Sequence, residues 1–187
     1  MKIKKTTKTT IKRNTARGSY DQAVIFDIID AVKVGHLAFK LDSTIHSIPM
    51  AFWREGDFAY CHCSTDSRLV QLAQSNEEVC VSFAAVDEIV LAKSAFSHSL
   101  NYHSVVVYGQ FEMLSSQDEK LKLMKEFINS VGTNRWDEIR QPNQQEIDAT
   151  AILKLSLQES VAKIRKGPPV ETNDDKDIKA WAGIKPV

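Results

Sequence analysis

Apolar positions along the chain follow two periods. Between residues 19 and 34 they recur at helical spacing. Val24, Ile25, Ile28, Ile29 and Val32 share one face, and Asp27, Asp30 and Lys33 lie toward solvent. Ser19 and Gln22 stand where a capping box would open this helix, and Gly35 where a C′ residue would close it. A second helical repeat covers 116–131, with Leu121, Met124, Phe127, Ile128 and Val131 as its stripe. Ser116 and Glu119 form its capping box, and Gly132 ends it. A shorter helix is expected over 69–74 and a helical turn over 144–148.

Elsewhere the period is two. Segments 36–41, 45–53, 58–60, 79–86, 89–96, 104–113 and 150–157 read as strands. The Arg54-Glu55-Gly56-Asp57 cluster turns one hairpin, with Gly56 free to take positive φ. Asp87-Glu88 is expected to join the next two strands, and 97–103 reads as a polar loop. Gly109 suggests a bulge or a close backbone approach. About seven strands against two substantial helices, joined by short turns, predict a mainly β antiparallel barrel with helical decoration.

Residues 1–17 are rich in Lys, Arg and Thr, contain no acid and lack a period. They read as a mobile or surface-draped basic arm, leaving 18–187 as one domain. The tail from 166 has little period, and Trp181 near its end is expected to dock onto something. The 187 residues carry zero formal net charge, which gives no general bias toward nucleic acid or membrane. No apolar run reaches spanning length, and no secretory signal is visible. Three cysteines form no even disulfide framework, so a cytoplasmic setting is expected.

The stretch Ser64-Thr65-Asp66-Ser67-Arg68 has the makings of an anion site: hydroxyls, a guanidinium and the free N–H groups of a helix start. By itself it reads first as an ordinary N-cap, since hydroxyls and one Arg near a helix start are common. Cys61 and Cys63 with His62, His98 and His103 lack a second spaced ligand pair, so no metal site is expected. There is no Gly-x-Ser-x-Gly elbow, no Gly-x-Gly-x-x-Gly and no P-loop.

Several short motifs recur in a fixed order. They are Gly35-His36-Leu37-Ala38-Phe39, Ile48-Pro49-Met50-Ala51-Phe52-Trp53, and His62-Cys63-Ser64 with Ser67-Arg68. Asn101-Tyr102-His103-Ser104 before a β-rich run, Lys163-Ile164-Arg165-Lys166-Gly167 and Trp181-Ala182-Gly183 complete the order. In these the chain resembles the FMN-binding split-barrel superfamily, and within it the pyridoxamine 5′-phosphate oxidase-like flavoproteins related to nitroimidazole reductases. The resemblance implies a six-stranded antiparallel split β-barrel. It further implies a homodimer with FMN in two clefts at the interface. Ile48, Pro49 and Met50 would line the flavin ring. His62, Ser64, Ser67 and Arg68 would hold the ribityl chain and phosphate. Tyr102, His103 and Ser104 would come from the second subunit, and Trp181 would pack near the flavin from the tail. Cys63 stands where the family often has Gly, and His103 where it often has Arg.

The function implied is an FMN-dependent oxidoreductase acting on a nitro compound, a quinone or another small oxidised molecule, with NADH or NADPH as donor. The Arg-Leu-x-Pro ending usual in true pyridoxamine phosphate oxidase is not seen, and vitamin B6 chemistry is not expected. The alternative is a non-catalytic flavin or haem binder using the same cleft, with His62, His98 or His103 as an axial ligand.

Overall fold

The computed structural model describes residues 1–187. In chain order it forms β1 (Gly18–Ser19), α1 (Gln22–Ala31), β2 (Val34–Leu41), β3 (Thr44–Ala51), β4 (Trp53–Glu55), β5 (Phe58–Ser64) and α2 (Arg68–Ser75). There follow β6 (Val79–Leu91), β7 (Ser99–Gly109), β8 (Phe111–Met113), α3 (Gln117–Val131), α4 (Gln144–Asp148), β9 (Thr150–Ser156), β10 (Ser160–Arg165) and β11 (Gly183–Pro186). The larger sheet has the order β1-β10-β7-β6-β2-β3, with β11 also on β6; the smaller is β4-β5-β9-β8. Every pairing is antiparallel. The mainly β split-barrel expectation therefore holds, with more and shorter strands than the pattern suggested.

Two corners carry the chain between the sheets. At Phe52 the run β3–β4 breaks, and at Gln110 the run β7–β8 breaks. The 104–113 segment is thus two strands rather than one. Gly109 precedes the second corner, where a Cβ would lie 2.9 Å from Leu155 Cδ1, the close approach its sequence position suggested. Gly56 turns the β4–β5 hairpin at φ 57°.

The core lies between the sheets. Leu37, Val81 and Val107 sit side by side on β2, β6 and β7, all fully buried. Ile25, Ile28 and Ile29 of α1 join this cluster, each such side chain contributing about 1.5–3 kcal/mol on burial. A second cluster of Trp53, Tyr60, Leu114, Leu123 and Ile152 lies on the other side of the smaller sheet, under α3.

Several expectations are corrected. Helix α1 is capped by Asp21, whose side chain accepts from Ala23 N, and not by Ser19. Ser19 is held in β1, paired to Ala162. Gly35 lies inside β2, where a Cβ would come within 2.8 Å of the Phe52 and Phe83 rings. The Asp87-Glu88 pair does not turn the chain. It is a register shift within one long strand, β6, and the turn comes after Leu91. Residues 99–103, read as loop, belong to β7. The α3 stripe is displaced: Leu123 is the buried residue, and Leu121 and Val131 face outward. Strand β10 had no sequence counterpart.

The basic arm lies along the barrel. Ile3 N donates to Tyr20 O, the Tyr20 hydroxyl donates to Thr9 O at 2.6 Å, and Thr6 Oγ1 donates to Glu159 at 2.7 Å. Lys8 pairs with Glu78. The tail is fixed by Arg165, which is buried and donates to Asn101 Oδ1 and, at 3.2 Å, to Gly167 O. Asn101 in turn donates to Glu88 at 2.7 Å. No helix is long and apolar enough to cross a membrane.

Candidate functional site

Arg68 opens α2, a helix whose first turn carries no acid. Its guanidinium reaches His46 Nδ1 on β3 at 3.3 Å and lies 6.0 Å from the centroid of the Phe39 ring, on which His46 stacks at 5.1 Å. Arg68 forms no ion pair with any carboxylate, although it sits at the positive end of the helix dipole. A cation so placed, beside free helix N–H groups, suits an incoming anion. Ser67 caps the helix, its hydroxyl accepting from Leu69 N at 3.2 Å. Ser64 Oγ accepts from Asp66 N at 3.3 Å. The Ser64 hydroxyl keeps its own proton free to donate outward.

Ile48 and Met50 turn inward and pack against the core, whereas Pro49 faces the outside of β3. Cys63 also packs inward against the core. Burial raises its thiol pKa, and a hydrogen bond with Ser67 opposes this. The side chain therefore lies between the core and Ser67.

Tyr102, His103 and Ser104 lie on β7, separated from β3 by β6 and β2. Three strand spacings amount to about 14 Å, so one chain does not bring them to Ile48–Met50. His103 Nδ1 sits 2.8 Å from Asp87 Oδ1, and the Ser104 hydroxyl donates to Lys163 O at 3.0 Å. Trp181 remains 60% exposed, folded over Gly183 with the Lys185 ammonium 5.6 Å from its ring.

His62 lines a cleft of which Ser64, Ser67 and Arg68 are not lining residues. Its neighbours in β5, Cys61 and Cys63, point into the core, so alternation turns the imidazole to the opposite face, under α3. There it meets Phe127 at 5.1 Å and Trp53 at 6.1 Å, ring to ring. The cleft it lines has a volume of about 300 Å³. Its walls include Trp53, Met124, Ile128, Trp136 and Ile152. His62 is itself solvent-exposed, and partial desolvation by these walls lowers its pKa, which favours the neutral imidazole, the form that ligates metals. Trp53 Nε1 is the one buried side-chain polar atom with no hydrogen-bond partner. Arg140 and Glu146 are the charged residues of the lining. Trp136 and Arg140 carried no assigned role in the sequence, because they lie in the aperiodic segment after α3.

Of the other histidines, His98 turns back on Ser94 O at 3.0 Å in the β6–β7 turn, and His103 is paired with Asp87. Neither faces an apolar cleft. A larger cavity of about 520 Å³ lies where the arm crosses the barrel, and no histidine, cysteine or arginine lines it.

A family model described as pyridoxamine 5′-phosphate oxidase matches residues 21–164. The chain belongs to that family. Among solved structures, the flavocytochrome Anf3 from Azotobacter vinelandii is 31% identical, with a TM-score of 0.92 over 97% of this chain and 85% of that one. The FAD and haem binding protein from Mycobacterium smegmatis is 26% identical, with a TM-score of 0.86 over 91% of this chain and 84% of that one. A Bacteroides thetaiotaomicron protein described as a 5-nitroimidazole antibiotic resistance protein shares the fold. It is 18% identical, with a TM-score of 0.67 over 79% of this chain and 86% of that one. A search of curated proteins finds no match.

Proposed function

We propose that this family member is a redox protein that binds both a flavin and a haem, in separate places on each chain. The observation that carries the reading is the His62 cleft. An imidazole whose pKa is lowered, set among aromatic and apolar walls, suits a planar apolar group whose metal takes a nitrogen ligand. The two relatives of highest identity reported above are a flavocytochrome and a FAD and haem binder, which supports it. His62 would then hold the haem iron rather than touch the ribityl chain.

The flavin reading rests on Arg68, a cation without a carboxylate partner at a helix start, together with Ser64 and Ser67. A phosphate there is common to FMN, the form expected from the sequence resemblance, and to FAD, the form named for the mycobacterial relative. Ile48, Pro49 and Met50 would border the ring. Tyr102, His103 and Ser104 would complete the cleft from a second copy of the chain, since about 14 Å separates their strand from β3 within one copy. The outer face of the larger sheet suits such a homodimer. It presents small side chains, including Ala38, Ser82 and Ala84, across β2 and β6.

Bound flavin would supply electron transfer, and bound haem one-electron chemistry. The protein's part is to position both and to shape access. An oxidised small molecule of the nitro or quinone class, with NADH or NADPH as donor, is the substrate class this reading carries forward. The test is the absorbance of the purified protein, followed by chromatography of what it releases on denaturation. A Soret band together with released FMN or FAD is expected. Protein that takes up neither added flavin nor added haem overturns the reading.

A further inference from the structure

The His62 cleft has an apolar interior and a charged mouth. Arg140 and Glu146 stand there as a two-point pair, Nη2 to Oε1 at 2.7 Å and Nη1 to Oε2 at 3.0 Å. The two partners are unequally committed. Glu146 also accepts from Asn143 N at 2.9 Å in the capping box of α4, so it keeps a donor when Arg140 leaves. Arg140 has one other acceptor, Gln141 O at 3.1 Å, and no second carboxylate. Its side chain is 69% exposed, free to swing over the opening.

We propose that Arg140 anchors a carboxylate on the rim of the ligand in this cleft, and that Glu146 occupies the guanidinium until that carboxylate arrives. The proposal rests on the haem reading, and it names the class of ligand the cleft selects: a planar apolar macrocycle bearing acidic groups on one edge. The geometry matches that class. His62, Phe127 and Trp53 form an aromatic inner wall, the Phe127 and Trp53 rings 5.1 and 6.1 Å from that of His62. The planar fork of an arginine is the side chain best shaped for two-point recognition of a carboxylate. A lysine there would offer a point charge and lose the two-point geometry.

The exchange gives Arg140 one carboxylate in place of another, and the ligand brings one further negative charge to the mouth. Glu146 falls back on Asn143 N while the ligand takes its place. Arg140 therefore contributes selectivity for acid-bearing over neutral macrocycles, and contributes little to ligation itself.

The test titrates the full chain with iron protoporphyrin IX and, separately, with its dimethyl ester, following the Soret band. The wild type is expected to bind the free acid about three- to fivefold more tightly than the ester, the range of an exposed ion pair. Arg140→Ala should abolish that preference while leaving ester affinity and band position unchanged. Glu146→Gln should strengthen the preference by removing the competitor. Equal loss of affinity for acid and ester in Arg140→Ala, or a preference that survives it, overturns the Arg140 role. A Soret band that neither shifts nor sharpens on adding the protein to either compound overturns the haem reading instead.

Discussion

The Arg68 guanidinium meets His46 Nδ1 at 3.3 Å, so the start of α2 is tied to β3 by these two side chains. No carboxylate pairs with Arg68. An anion would relieve this arrangement, which is why the loop is read as the flavin phosphate site. Arg68→Ala should weaken flavin binding by about 1.5–3 kcal/mol, the worth of a charge-assisted hydrogen bond. Quenching of flavin fluorescence on titration measures it; an unchanged Kd removes Arg68 from the phosphate site.

Gly35 gives a prediction about the core. The space a Cβ would need is held by the Phe52 and Phe83 rings, which meet edge to face at 5.4 Å. Gly35→Ala should destabilise the fold by about 1–3 kcal/mol through overpacking. Urea unfolding should show a lower midpoint with the same m value.

Arg165 is buried, and its guanidinium depends on Asn101 Oδ1. Asn101 also donates to Glu88, so one side chain joins β6, β7 and the start of the tail. Asn101→Ala should cost about 1.5–3 kcal/mol, because it leaves a buried cation short of an acceptor. Faster proteolysis after Gly167 should accompany the loss. Stability equal to wild type would mean that Gly167 O and Pro168 O suffice for Arg165.

Acid should act through His62. Partial desolvation in the cleft lowers its pKa below the ordinary 6.5, so the folded chain binds fewer protons than the unfolded chain. Above pH 6.5 both states are neutral at this residue and it makes no difference to stability. As pH falls below 6.5 the unfolded state takes up the proton first, and stability declines until the folded imidazole titrates too. Replacing His62 with Leu should flatten this part of the profile of unfolding free energy against pH. A profile identical to wild type would place the titration elsewhere.

The elements set by local chemistry were readable in the sequence. The Ile25–Ile28–Ile29 face of α1, the Gly56 turn and the tight packing at Gly109 follow from period and steric demand alone. What the sequence hid depends on partners distant in the chain. Asp87 looked like a turn, because a bulge differs from a turn only in what pairs across from it. Ser19 and Asp21 both offer a cap, and the pairing of Ser19 with Ala162 decided between them. Leu123 rather than Leu121 is buried in α3, since the helix meets the Trp53–Tyr60 surface rather than the main core. Within the site, Ser67 and Arg68 were recognisable from the helix-start pattern. His62 was grouped with them through its motif, and strand alternation sets it on the face of β5 opposite Cys63. Arg140 and Trp136 lie in a segment with no period, and only the folded chain brings them to His62.

The most direct test of the central claim is a paired cofactor titration of wild type and His62→Ala. The account predicts that the wild type takes up haem with a sharp Soret band and also quenches flavin fluorescence. In His62→Ala the Soret band should be lost or broadened, with flavin affinity unchanged, because Arg68 and His62 serve separate places. A His62→Ala protein with an unaltered Soret band, or one that loses flavin and haem together, would contradict the account.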